Sequence, residues 1–208
     1  MAGIKAVIYD CDGVLIDSRQ ANEAFYNQIL RHFGMPDITP EQMDQAQFLT
    51  SRAAIDLLFQ GSPYRAAAQE YQTTVDNVPF LPLIRPEPHV KETLTRLRPG
   101  YGTAIATNRG RSLSPVLERL GLAALFDLIV SSLDVLNPKP HPESLQVILR
   151  HFGIGPSEAL YIGDTEVDMV LASRAGVPFI AYKNPGLKAR RHIRDHLELL
   201  ELLPAWAD

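Results

Sequence analysis

Short apolar runs that end in polar residues, alternating with helical patterns, constrain this chain more than any other feature. Ile4 to Asp10 is an apolar run carrying β-branched residues, the pattern of a strand buried in a parallel sheet. Thr103 to Asn108, Phe126 to Ser131 and Ala159 to Asp164 repeat it, and Phe179 to Tyr182 adds a fifth. Between them lie helical spacings: Val90, Leu94 and Leu97; Val116, Leu117 and Leu120 before Gly121; Leu145, Ile148 and Leu149 before Gly153; and Val167 to Ala175 before Gly176. A glycine just past the last apolar position is a common helix stop. Strand and helix in alternation predict an α/β fold, a doubly wound, Rossmann-like parallel sheet covered on both faces.

Residues 19–84 break the alternation. They hold no convincing strand, and four stretches read as helices: Ala21 to Phe33 closed by Gly34, Pro40 to Phe48, Ser51 to Phe59, and Arg65 to Val75. Prolines 79, 82, 86 and 88 mark the return to the sheet pattern. The predicted organisation is a core of residues 1–18 and 85–208 with a small all-helical insertion at 19–84. The stretch Ala189 to Leu203 is amphipathic with mixed charges and predicts a final helix packed on the core.

The first run ends in Asp10 and Asp12, with Gly13 behind them. Two carboxylates delivered to a strand tip repel and raise each other's pKa unless something neutralises them. A hard divalent cation is the usual solution, since Mg²⁺ takes carboxylate and carbonyl oxygens at about 2.1 Å. Three further strand ends carry polar groups in order: Thr107-Asn108, then Lys139 between two prolines, then Asp164 with Asp168 four residues on. In a doubly wound sheet, ligands bind outside the carboxyl ends of the strands. All four sets are therefore expected around one crevice.

This order of motifs, with helices inserted after the first, resembles the haloacid dehalogenase superfamily. The resemblance is to its phosphatase branch with a helical cap, the phosphoglycolate phosphatase and β-phosphoglucomutase-like group, and it covers nearly the whole chain. It implies a Mg²⁺-dependent phosphoric monoester hydrolase acting on a small phosphorylated metabolite. Asp10 would be the nucleophile that forms an aspartyl-phosphate. Asp12 would protonate the leaving oxygen and then deprotonate the attacking water. Thr107 and the Asn108 backbone N–H would bind phosphoryl oxygens, and Lys139 would neutralise the nucleophile and the transferring group. Mg²⁺ would be held by Asp10, Asp164 and the backbone carbonyl of Asp12. Asp168 would orient Lys139 or a metal-bound water. Dehalogenases of this family lack an acid two residues after the nucleophile, so Asp12 favours phosphoryl transfer.

Two other activities use similar parts. A sugar-phosphate mutase shares these residues and differs in cap closure and water exclusion. A phospho-receiver module also combines acids, a threonine and a lysine on such a sheet, but places its phosphorylated acid on a later strand and has no cap.

Outside the ordered set, Arg52 lies at a polar break between two cap helices and is a candidate for an anionic substrate tail, with a solvated arginine as the ordinary reading. Arg109 and Arg111 either add charge at the crevice rim or start a helix. Asp17 and Ser18 are read as shaping the entry to the cap. His192 and His196, four apart on the expected last helix, read as surface residues because no third metal ligand accompanies them. Cys11, between the two acids, is expected to pack on the opposite face of the strand.

The net charge of −4 has no basic block that would track a nucleic-acid backbone. No apolar run approaches the ~20 residues of a membrane span. With one cysteine and a first strand starting near Ile4, the reading is a cytoplasmic protein without a signal peptide, monomeric or homodimeric.

Overall fold

The computed structural model describes residues 3–204 and 206. Residues 1–2, 205 and 207–208, at the outer ends of the expected core, lie outside the described residues. In chain order the strands are β1 (Ala6–Tyr9), β2 (Ile16–Asp17), β3 (Arg85–Pro86), β4 (Gly102–Ala106), β5 (Leu128–Val130), β6 (Ala159–Gly163), β7 (Phe179–Tyr182) and β8 (Arg191–Ile193). Six of them form one parallel sheet in the order β5-β4-β1-β6-β7-β8. From β1 the chain fills one side of the sheet, then returns to fill the other. The central strand β1 therefore ends at the point where the winding reverses, which opens a crevice.

Alternation along each strand feeds two apolar layers. Val7, Tyr9, Ile105, Leu160 and Ile162 join α5 (Val90–Leu97), α6 (Leu113–Leu120) and α9 (Glu198–Leu202) in one. Ala6, Ile8, Ala104, Ala106 and Tyr161 join α7 (Glu143–Phe152) and α8 (Glu166–Ala175) in the other. Cys11 is buried, as expected. Small alanines on the second face let α7 and α8 approach closely, and each fully buried leucine or isoleucine contributes about 1.5–3 kcal/mol.

Between β2 and β3 lie α1 (Arg19–His32), α2 (Pro40–Ala46), α3 (Ser51–Leu58) and α4 (Arg65–Tyr71), gathered around a third apolar cluster that includes Ile29, Leu30, Met43, Ile55 and Phe59. Thr39 and Thr50 start α2 and α3 by accepting backbone N–H groups at 3.2 Å. The strands leading into and out of these helices pair antiparallel, Ile16 with Pro86 and Asp17 with Arg85.

Two expectations are corrected. Residues Val78–Leu83 form a 3₁₀ helix where only a proline-marked return was expected. The single final helix expected over 189–203 is instead β8 followed by α9, because Ile193 packs into the sheet's apolar layer as a strand residue while helical spacing begins only near Leu197.

Candidate active site

Asp10 follows β1 directly and is 7% exposed. Its carboxylate accepts a hydrogen bond from the Lys139 ammonium at 2.6 Å, and the same ammonium donates to Asp168 at 2.9 Å. Lys139 comes from the loop after β5 and is itself buried. The Asp168 carboxylate accepts from four donors in all: the Tyr161 hydroxyl at 2.6 Å, the Thr165 hydroxyl at 2.6 Å, the Thr165 N–H at 3.3 Å and the Lys139 ammonium. It thus closes the capping box that begins α8 and positions the lysine at once.

Asp164, at the end of β6, stands within reach of Asp10. One oxygen from each of Asp10, Asp164 and Asp168 lies within 4.8 Å of the others. Oδ1 of Asp164 is buried and has no hydrogen-bond partner among the described residues. Gly13, at φ +80°, permits this packing, because a Cβ there would collide with the Asp164 carboxylate. Clustered carboxylates with an orphaned buried oxygen fit a hard cation such as Mg²⁺, held by Asp10 and Asp164. The Asp12 carboxylate is not part of this group among the described residues, which leaves its backbone carbonyl as the expected donor.

Burial, then the negative charge of Asp168, push Asp10 up to about 7 against the opposing pull of Lys139. Burial, then Asp10 and Asp168, push Asp164 up to about 8. Burial alone would lower Lys139, but Asp10 and Asp168 hold it above its ordinary value. The two raised acids bind protons in the folded protein that the unfolded chain releases near its ordinary carboxylate value. Stability from them is fully present below that value and is lost as pH rises through about 7 to 8. His196, whose pKa burial lowers, acts in the opposite sense below its ordinary value of 6.5. With EDTA present, the melting temperature is therefore expected to fall as pH rises from 6.5 to 8, and Mg²⁺ should flatten the slope. A rising melting temperature across that window in EDTA would contradict this charge arrangement.

Asp12, two residues on, bonds elsewhere. Its Oδ1 accepts from the Ser18 hydroxyl and from Nη1 of Arg109. Thr107, just past β4, is 3% exposed, and its hydroxyl oxygen accepts the Arg109 N–H at 3.0 Å. The Asn108 side chain accepts the Lys139 N–H at 3.0 Å and donates to the carbonyls of Lys139 and Phe48, both at 3.3 Å. It binds the lysine loop to the helical segment. Asp10, Asp12, Thr107, Lys139 and Arg52 all line one cavity of about 500 Å³ between the strand ends and the helices. Arg52, in the first turn of α3, is exposed and has no ion-pair partner among the described residues.

Tyr161 and Thr165 escape the sequence reading, and the contacts of Ser18 and Arg109 go beyond it. Ser18, read from the sequence as shaping the entry to the cap, also donates its hydroxyl to Asp12. Arg109 stood beside a motif but its partner lies 97 residues away. Tyr161 reads as an ordinary apolar strand position, and Thr165 as a simple cap. The surface reading of His196 is overturned: it is fully buried, stacks on Tyr182 at 4.6 Å and meets the Val14 carbonyl at 2.8 Å. No final helix carries it outward, because its segment turns between β8 and α9. His192, in β8, is exposed.

A family model described as haloacid dehalogenase-like hydrolase matches residues 7–182. The phosphoglycolate phosphatase of Pectobacterium atrosepticum is 32% identical over 192 residues, 85% of this chain and 79% of that protein. The pyrophosphatase PpaX of Bacillus velezensis is 29% identical over 184 residues, 83% of this chain and 80% of that one. A solved haloacid dehalogenase-superfamily hydrolase of subfamily IA from Geobacter sulfurreducens is 41% identical, covers 96% of both chains and superposes with a TM-score of 0.79. The β-phosphoglucomutase of Clostridium difficile shares the fold, with a TM-score of 0.83 at 17% identity over 98% of this chain and 99% of that one. Among the described residues no helix is long and apolar enough to cross a membrane.

Proposed function

This chain belongs to the haloacid dehalogenase-like hydrolases, and we propose that within that family it is a Mg²⁺-dependent phosphatase that hydrolyses a small phosphorylated metabolite through an aspartyl-phosphate on Asp10. The observation that carries the reading is the pairing of a buried Asp10 with a buried Lys139, beside an Asp164 oxygen without a hydrogen-bond partner among the described residues. Lys139 favours the ionised form of Asp10 against its burial, aligns it for attack on phosphorus, and neutralises the charge of the transferring group. Thr107 and the N–H of Asn108 hold phosphoryl oxygens. Asp12 gives its proton to the leaving oxygen and later takes one from the attacking water. Mg²⁺, when bound by Asp10, Asp164 and the Asp12 carbonyl, supplies positive charge to the phosphoryl group.

The helices of residues 19–84 act as a cap over the crevice, with Arg52 facing an anionic part of the substrate. A cap of this kind admits small molecules and obstructs macromolecules. The setting that fits the composition is the cytoplasm, with the chain as a monomer or homodimer and no nucleic-acid or membrane partner.

Purified protein is expected to release phosphate from small phosphate esters with Mg²⁺ and to lose that activity in EDTA, with recovery on readdition of the ion. Full turnover in EDTA would overturn the metal assignment. Incubation with a sugar 1-phosphate separates the nearest alternative: isomerised sugar phosphate without free phosphate would mean a mutase. A long-lived aspartyl-phosphate without turnover would mean a receiver module.

A further inference from the structure

His196 is fully buried, and its partner lies near the other end of the chain: ring Nε2 meets the Val14 carbonyl at 2.8 Å. A carbonyl only accepts, so Nε2 carries the hydrogen and donates it. Burial lowers the pKa of the ring, which leaves it neutral with Nδ1 bare. Nδ1 has no partner among the described residues. The side chain therefore makes a single hydrogen bond, to the backbone of Val14.

Val14 belongs to the turn that carries Asp12. After Asp10 the chain folds back at once. The N–H groups of Leu15 and Ile16 donate to the Cys11 carbonyl at 2.9 and 3.1 Å, and the Gly13 N–H donates to the Ile16 carbonyl at 2.8 Å. Asp12 sits inside this turn, so the path of the turn sets where its carboxylate and carbonyl point. The Val14 carbonyl has no other donor among the described residues. The next carbonyl, that of Leu15, accepts the Glu87 N–H at 2.9 Å, just where the chain returns from residues 19–84. Tyr182 joins the two grips: its ring stacks on His196, and its hydroxyl donates to Glu87 at 2.9 Å. His89 pairs with Asp195 at 2.7 Å and so pins the backbone beside His196.

We propose that His196 is a positioning residue for phosphoryl transfer: its bond to the Val14 carbonyl holds the Asp10–Ile16 turn in the path that presents Asp12 to the leaving oxygen. His196 does not line the crevice and touches no substrate, so it acts only through that backbone. The inference rests on the phosphatase reading, with Asp12 as its acid, and adds a support 182 residues away in sequence.

The test compares phenyl phosphate with p-nitrophenyl phosphate under Mg²⁺. The two esters have nearly the same shape, but only the phenyl ester has a leaving group that depends strongly on a proton from Asp12. His196→Phe keeps a ring to stack on Tyr182 and loses the donor. It is expected to lower kcat/KM for phenyl phosphate by about fivefold or more beyond any loss for p-nitrophenyl phosphate. His196→Gln carries an amide N–H of similar reach and should restore the wild-type ratio of the two esters, even where its melting temperature is lower than the wild type's. If His196→Phe does not fold, His196→Asn, whose amide falls short of the carbonyl, takes its place against His196→Gln. A histidine that served packing alone would slow both esters equally. An unchanged ratio in the folded variant without the donor, a ratio that His196→Gln does not restore, or failure of all three variants to fold overturns the inference and leaves the phosphatase reading standing. A wild-type protein that hydrolyses neither ester overturns both.

Discussion

Asp10→Asn is expected to lower Mg²⁺-dependent phosphate release by on the order of 10⁴-fold or more, the scale seen when a covalent nucleophile is removed. The amide keeps the shape of the carboxylate and can still accept from Lys139, so packing at the end of β1 is preserved. Its lone pairs are too weak to attack phosphorus. The melting temperature should not fall, because the substitution removes a charge whose burial is unfavourable and leaves Lys139 paired with Asp168. Loss of activity with retained stability would separate a chemical role from a structural one. Phosphate release within tenfold of the wild type would remove Asp10 as the nucleophile.

Lys139→Met is expected to damage both stability and activity. Methionine approximates the lysine stem but leaves Asp10 and Asp168 facing each other, both buried and both deprived of their cation. Breaking a buried pair from one side costs about 3–5 kcal/mol. For a chain of this size each kcal/mol lowers the melting temperature by about 2–4 °C. Turnover should fall by about 10²-fold or more, as on removal of one preorganised electrostatic group. Adding Asp168→Asn to Lys139→Met should restore part of the stability and none of the rate. Equal recovery of both, measured by thermal melts beside phosphate release, would mean that the lysine serves folding alone.

The sheet and the ordering of the acids were legible because a buried parallel strand is apolar for its whole length and can end in charge only at a crevice. Asp10, Thr107, Lys139 and Asp164 could each be placed by that rule together with the family's order. The helices of residues 19–71 were legible from spacing alone. What stayed hidden depends on partners far apart in the chain. Nothing near Arg109 announces Asp12, nothing near Tyr161 announces Asp168, and nothing near His196 announces the Val14 carbonyl. The C-terminal strand was missed for a different reason. A three-residue strand at the sheet edge has too few positions to display a period, and the mixed charges around it fit a helix equally well.

Asn108 joins two things that the chemistry treats separately. One amide side chain holds the loop that carries Lys139 and also grips the Phe48 carbonyl of the helical segment. On the proposed cap role of residues 19–84, a molecule too bulky for the helices to settle over it is expected to break the second grip and with it loosen the loop that carries Lys139. An oversized guest would then meet a displaced lysine as well as a steric obstacle.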